Sequence, residues 1–383
     1  MVLVELISLY DTATLKKRIK TISEKYTYKY APFASVIIPF RGIDPGLEKN
    51  LKAILDQKYP KKEYIFVLDS FTDPVYAILK KIKNSSVKIV KSKQIETCAG
   101  KLAALITGSK VAMGDVIVFA DSDIRPGRNW LTELVKPLKD NKIGATTSYR
   151  WYFPTDKKFS SHLRSAWSSI GYWMLLGKYT FVWGGSFGLT KKMFNQMKIA
   201  ERWETAISDD IEVSRACHKF GYKIQFVPTA IVGTFENCNW SQLKEFSNRQ
   251  TWHSRQGSRK GSRAGLFIYS SLNFIFLTGL LFIISSFWKS YLLIPGLIIV
   301  LLQLLAPLRA YIKQKSLESA VPHYKNYFKQ TRPMSLLTEL LVRPLGNYNL
   351  IKAKYMKGIE WRGRKYYGAE NNLKLESNNR KES

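Results

Sequence analysis

Between about residues 31 and 235, short apolar runs alternate with amphipathic ones. The runs Ser35-Val36-Ile37-Ile38-Pro39, 63–68, 87–90 and 116–120 are continuous rather than alternating and rich in β-branched residues. That is the signature of strands buried on both faces. Between them, residues 46–56, 75–83 and 101–112 carry helical spacing. Strand and helix in this alternation predict right-handed βαβ units and a mostly parallel sheet covered by helices. Ligands of such sheets gather beyond the carboxyl ends of the strands, so chemistry is expected just after each strand.

The pattern changes after Trp252. Residues 256–263 form a basic linker, and residues 266–288 contain no ionisable side chain. Lys289-Ser290 interrupts before a second apolar run, 291–308, which contains Pro295. Each run is long enough to cross a bilayer. Arg255, Arg259, Lys260 and Arg263 precede the pair, and Arg309, Lys313 and Lys315 follow it. The positive-inside rule then places both ends in the cytoplasm. Residues 334–354 are amphipathic and broken by Pro344 and Gly346, which predicts an interfacial segment. Residues 371–383 are polar and are expected to be disordered. The apolar opening, 1–10, is too short to span and lacks the basic start of a secretory signal; a packed helix is expected there. The expected organisation is an N-terminal helical segment (1–30), an α/β domain (31–255) in which chemistry is expected, a transmembrane hairpin (256–310), and an interfacial segment with a basic tail (311–383).

Charge narrows the partners. The 383 residues include 60 Lys and Arg against 29 Asp and Glu, a formal net charge of +31. Such a balance suits anionic membranes, phosphate-bearing substrates or nucleic acid. No nucleic-acid-binding module is recognisable, so nucleic acid is not expected. Cys98, Cys217 and Cys238 are odd in number and widely spaced, which argues against a disulfide framework.

Three carboxylate groups follow strands or open helices. Asp121-Ser122-Asp123 directly follows the run 116–120. Carboxylates two residues apart can converge on Mg2+ or Mn2+, which take oxygen ligands and bind substrate phosphates. Asp69 and Asp73 follow the run 63–68, where a carboxylate can accept from a nucleoside or can cap a helix at Val75. Ser208-Asp209-Asp210 stands just ahead of the helical run 211–220, and adjacent like charges raise one pKa, which suits a base. Gly184-Gly185-Ser186 lets backbone approach a ligand, and Lys101 can meet a phosphate. For each carboxylate the simpler role is a turn or a helix cap.

The order of these pieces resembles family 2 glycosyltransferases of GT-A fold. The segments 35–39, 42–51 (Gly-Ile-Asp-Pro-Gly-Leu-Glu-Lys-Asn-Leu), Gln57-Lys58-Tyr59-Pro60, Glu63-Tyr64, Asp73-Pro74 and Asp121-Ser122-Asp123-Ile124-Arg125 occur in register. With Asp209-Asp210 and the tail Trp361-Arg362-Gly363-Arg364-Lys365-Tyr366, they are similar to the ceramide glucosyltransferase branch and its bacterial hopanoid-linked relatives. The resemblance implies an α/β, Rossmann-like GT-A catalytic domain followed by a membrane hairpin. It implies an inverting transferase with a UDP-sugar donor, a lipid acceptor, a divalent cation and a membrane carrying anionic lipids. By the same resemblance Pro39, Asp69, Asp73, Lys101 and Asp121 serve the donor, Asp121 and Asp123 the metal, and Asp210 is the base. Gly184, Gly185, Ser186, Asp209, Arg249, Gln250 and Trp252 frame the acceptor. A polyprenyl phosphate, a growing polysaccharide and an inactive scaffold remain the rival readings. The chain departs from the family's Gln/Arg-x-x-Arg-Trp motif, with Asn248 and Thr251 ahead of Trp252.

Overall fold

The computed structural model describes residues 2–95, 97–176, 180–361, 364–367 and 374–375. In chain order the first half contains α1 (Val2–Glu24), β1 (Ala34–Phe40), α2 (Leu47–Leu55), β2 (Lys62–Leu68), α3 (Pro74–Leu79) and β3 (Val87–Lys91). There follow α4 (Gly100–Val111), β4 (Val116–Ala120), α5 (Trp130–Val135), β5 (Ile143–Thr147), β6 (Arg150–Tyr152) and α6 (Phe159–Leu175). Next come β7 (Ser186–Thr190), α7 (Lys191–Gln196), α8 (Ile199–Trp203), α9 (Asp209–Lys219), β8 (Lys223–Phe226) and β9 (Val232–Thr234). The remainder is helical: α10 (Trp240–Gly257), α11 (Arg259–Ser285), α12 (Leu293–Gln303), α13 (Leu305–Ala320), α14 (Lys325–Thr338) and α15 (Val342–Tyr355). The short strands β10 (Gly358–Trp361), β11 (Arg364–Tyr367) and β12 (Lys374–Leu375) close the described chain. Arg362 and Gly363 of the basic tail lie outside the described residues, as does 371–383 apart from β12.

The chain falls into two compact units. One comprises Ile22–Trp151, Gly171–Phe235 and Lys357–Ser383. It holds a seven-stranded sheet in the order β3-β2-β1-β4-β7-β5-β8. The pairs β1–β2, β2–β3, β1–β4 and β5–β8 are parallel, whereas β7 runs antiparallel to both β4 and β5. This is the mostly parallel, helix-covered sheet that the alternation predicted. All four expected strands are present, and β1, β2 and β4 are buried almost throughout. Helix α3 is shorter than expected, because Lys80 and Lys81 already form a turn.

Several residues that carried the resemblance are structural. The Glu63 carboxylate is buried and accepts from Ser35 Oγ at 2.6 Å and Met113 N at 2.7 Å, tying β2 to β1 and to the turn before β4. Gln57 donates to Gly127 O at 3.0 Å and accepts from Leu131 N at 3.1 Å. A buried polar group is tolerable only when its hydrogen bonds are made, and these side chains fix the loops that flank β4.

The other unit comprises Met1–Thr21, Tyr152–Ile170 and Glu236–Met356. Residues 152–170 and 236–255, expected inside the catalytic domain, thus belong with the later helices. The physical reason is an apolar cluster in which Leu163 and Ala166 of α6 meet Cys238, Leu243 and Val342. The expected helix at 1–10 extends to Glu24. Two helical stretches in this unit, Arg259–Ser285 and Ser290–Ala320, are long and apolar enough to cross a membrane. Their apolar side chains are largely outward: Phe274 is 71% and Leu277 57% exposed. Helices α11 and α12 approach through glycine. A Cβ on Gly279 would lie 2.5 Å from Ile299 Cγ2, and one on Gly296 would lie 2.9 Å from Ile283 N. Where surroundings are apolar, such close approach supplies the helix–helix attraction. Gly279→Leu should therefore separate the pair and lower the melting temperature of the purified protein, whereas Leu277→Ala should leave it nearly unchanged. Equal melting temperatures for Gly279→Leu and wild type would contradict this packing.

Candidate functional site

Because β1, β2 and β4 are parallel neighbours, their carboxyl ends share one edge. Strand β7 is antiparallel to β4 with Ala120 opposite Ser186, so the turn that enters it, Trp183-Gly184-Gly185, lies on the same edge. The Asp121 N–H donates to Gly185 O at 3.0 Å and fixes that turn beside the Asp-Ser-Asp segment. From the opposite side, Ser122 Oγ donates to the Asp44 carboxylate. Asn50 accepts from Arg125 Nε at 3.3 Å, and Arg125 lies over the Phe235 ring at 4.0 Å. The loop 42–50 is thus pinned to 121–125, which explains why the two motifs occur together.

Four carboxylates meet two cations at this edge. Lys101, in the first turn of α4, reaches Asp121 Oδ1 at 2.9 Å and Asp209 Oδ2 at 3.1 Å and donates to Gly184 O at 3.0 Å. Arg150 reaches Asp121 Oδ2 at 2.8 Å, and its guanidinium holds both oxygens of Asp123 at 2.8 and 3.0 Å. It also lies 4.9 Å from the Trp183 ring centroid. Asp210 is half-buried; its Oδ2 accepts from Gly184 N at 3.1 Å, and its Oδ1 accepts from Ile211 N at 2.8 Å and from Ser208 Oγ. The glycines are required by space. A Cβ on Gly184 would lie 2.8 Å from the Asp209 carboxylate, and one on Gly185 would lie 2.7 Å from Asp121 Oδ2 and closer still to the Trp183 ring.

Burial pushes the Asp209 carboxyl up to about 7, with Asp210 and Asp121 adding to the shift and Lys101 opposing it. Burial works against the Lys101 ammonium, but Asp121 and Asp209 outweigh it and hold its pKa above the ordinary lysine value. Asp209 is only 6% exposed, so the accessible member of the pair is Asp210.

The remaining expected site residues divide. Pro39 lies in β1 and is half-buried. Asp69, just after β2, faces Arg41 at 3.6 Å. Asp73 caps α3 by accepting from Val75 N at 2.9 Å, and its other oxygen accepts from Gly42 N at 2.9 Å. It therefore ties the loops after β1 and β2 together. Ser186, expected at the acceptor site, is instead fully buried, and its hydroxyl accepts from Trp130 Nε1 at 2.9 Å. Arg249, Gln250 and Trp252 lie on α10, in the other unit. Trp252 presents no open ring face for a sugar: it is fully buried, and its Nε1 donates to Met356 O at 3.3 Å. Thr251 is also buried and bonds back to Ser247 O at 2.8 Å, while Asn248 Oδ1 accepts from Asn349 Nδ2 at 2.9 Å. Arg150 was missed in the sequence, because a lone arginine after the mixed run Thr146-Thr147-Ser148-Tyr149 carries no motif.

The model of glycosyl transferase family 21 matches residues 1–372. The chain is 27% identical over 223 residues to a probable glycosyltransferase, YdaM, of Bacillus subtilis, covering 55% of this chain and 53% of the relative. It is 29% identical over 194 residues to poly-beta-1,6-N-acetyl-D-glucosamine synthase of Staphylococcus aureus, covering 48% and 45%. The chain therefore spans about half the length of these curated relatives. Among solved structures it is similar to the mannosyltransferase PcManGT from Pyrobaculum calidifontis, in complex with GDP-Man and Mn2+. That match has 19% identity and a TM-score of 0.44, covering 90% of this chain and 98% of that one.

A carboxyl with a higher pKa in the folded than in the unfolded chain favours folding at low pH, and that advantage is lost as pH rises through about 7. Asp209→Asn removes this titration. The melting temperature of the variant relative to wild type should rise between about pH 5 and pH 8. A difference that stays flat or falls over that range would show that Asp209 titrates normally.

Proposed function

The chain belongs to glycosyl transferase family 21, and from that premise we propose that this glycosyltransferase moves a hexose, with inversion, from a UDP-sugar to the hydroxyl of a lipid acceptor at the cytoplasmic face of a membrane. The observation that carries the reading is the single sheet edge on which Asp210 stands beside Asp121 and Asp123. Inverting transfer needs one base for the acceptor proton and a separate place for the leaving diphosphate. Asp210 suits the first task. It is the accessible carboxylate of its pair, and Gly184 N and Ile211 N hold its orientation. The attacking oxygen then displaces the nucleoside diphosphate from the opposite face of the anomeric carbon.

Asp121 and Asp123 suit the second task. Among the described residues no group of three or more His, Cys, Asp or Glu side chains forms a ready cage for a metal. A pair of carboxylates completed by substrate phosphates is the usual way Mg2+ is held. The oxygens of this pair already share one cation, the Arg150 guanidinium. The donor set therefore fits Mg2+ or Mn2+, which when bound would neutralise charge on the leaving diphosphate. Asp69 and Asp73, after β2 and separated from β4 by β1, would border the nucleoside. The two apolar helical stretches and their basic flanks favour a bilayer-anchored enzyme with both ends cytoplasmic.

Purified protein incubated with a panel of UDP-sugars and total membrane lipid should yield a new glycolipid by mass spectrometry. Asp210→Asn should lower kcat by roughly 100-fold or more, and excess chelator should abolish transfer. Near-normal activity of Asp210→Asn would remove the base role and favour an acceptor that brings its own anionic oxygen, such as a polyprenyl phosphate. Full turnover in chelator would remove the metal.

A further inference from the structure

We propose that Arg150 is an internal counter-cation for the Asp121–Asp123 pair, which it must leave before a divalent cation can bind there, and that the diphosphate of the donor is its alternative partner. This rests on the metal reading of the site and adds a residue that the reading does not require. The geometry is specific. One guanidinium spans both carboxylates, with three nitrogen–oxygen distances of 2.8–3.0 Å, and the Arg150 side chain is only 11% exposed. A planar fork of donors matches carboxylates and phosphates equally well. The oxygens it holds are the ones a metal would need, and a metal bound there would stand against the guanidinium's positive charge at close range.

The surroundings explain why the exchange is poised. The second oxygen of Asp121 is held by Lys101, so Arg150 is the group whose departure frees Asp123 entirely and Asp121 in part. The Trp183 ring under the guanidinium offers a flat face on which it can turn without losing all of its stabilisation. Trp183 adjoins the Gly184-Gly185 turn, at the same edge where the diphosphate would lie. Nucleotide and metal would therefore bind with positive coupling. Metal alone must expel Arg150 into solvent, whereas metal with nucleotide gives it a phosphate. In the absence of donor, Arg150 suppresses metal binding and offsets part of the carboxylates' charge.

The test is Mn2+ binding to the full-chain protein in detergent, followed by electron paramagnetic resonance of free Mn2+, with and without UDP and with the UDP-only signal subtracted. Without nucleotide, Arg150→Gln should bind Mn2+ about tenfold more tightly than wild type, and Arg150→Met should do the same should the glutamine variant misfold. Arg150→Lys, which keeps the charge, should stay close to wild type. Adding UDP should narrow the gap between wild type and the neutral variants. Nucleotide-free Mn2+ affinity that is unchanged or weaker in a folded neutral variant, while wild type binds Mn2+ with UDP, would overturn the role of Arg150 and leave the metal reading standing. Failure of wild type to bind Mn2+ even with UDP would overturn both.

Discussion

Four carboxylates crowd one edge of the sheet, and two half-buried cations make that crowding tolerable. Asp121, Asp123, Asp209 and Asp210 would repel one another strongly in a partly desolvated site. Lys101 links Asp121 to Asp209, and Arg150 links Asp121 to Asp123. The rest of the arrangement serves this compensation. The glycines at 184 and 185 leave room for the carboxylates, the antiparallel β7 delivers the glycine turn to the right edge, and the 42–50 loop locks the Asp-Ser-Asp segment from the other side. With all four acids ionised against two bases, the cluster still holds two negative charges in excess. Burial places part of that excess on Asp209, whose proton affinity rises accordingly.

Two kinds of residue within the family resemblance are now separable. Glu63, Gln57, Asp44 and Asn50 are spent on holding loops in register, each through named hydrogen bonds to neighbouring backbone or side chains. Asp121 and Asp123 flank Ser122, which those loops hold, while Lys101 meets Asp121 and Asp209, and Asp210 is oriented by Gly184 N and Ile211 N. A substitution in the first group would act through displacement of the second.

Much of the sheet was legible because strands buried on both faces read as uninterrupted apolar runs, and 35–39, 63–68 and 116–120 are such runs. The direction of β7 was not legible: Ser-Phe-Gly-Leu-Thr carries no mark of being antiparallel, yet that direction brings Gly184 to the site. The Asp residues were legible from their positions after strands and at a helix start. Their expected roles came from the family resemblance alone; what spacing could not show is the burial that separates Asp209 from Asp210. Ser186 read as a ligand contact because it follows two glycines that let backbone approach a ligand, and Trp252 because the family resemblance puts a tryptophan near the acceptor. Packing decided otherwise, with Trp130 and Met356 taking their polar atoms. The unit boundary was hidden because α6 and α10 are amphipathic, and spacing alone does not reveal which partner covers a helix.

The Asp121–Asp123 edge is proposed to hold the donor diphosphate through a shared cation. Electron–nuclear double resonance of Mn2+ bound to the protein with UDP tests it most directly. Wild type should show a phosphorus hyperfine coupling in the protein-bound complex, lost together with Mn2+ retention in Asp121→Asn/Asp123→Asn. Undiminished retention of Mn2+ and UDP in that double variant, with the same phosphorus coupling, would contradict it.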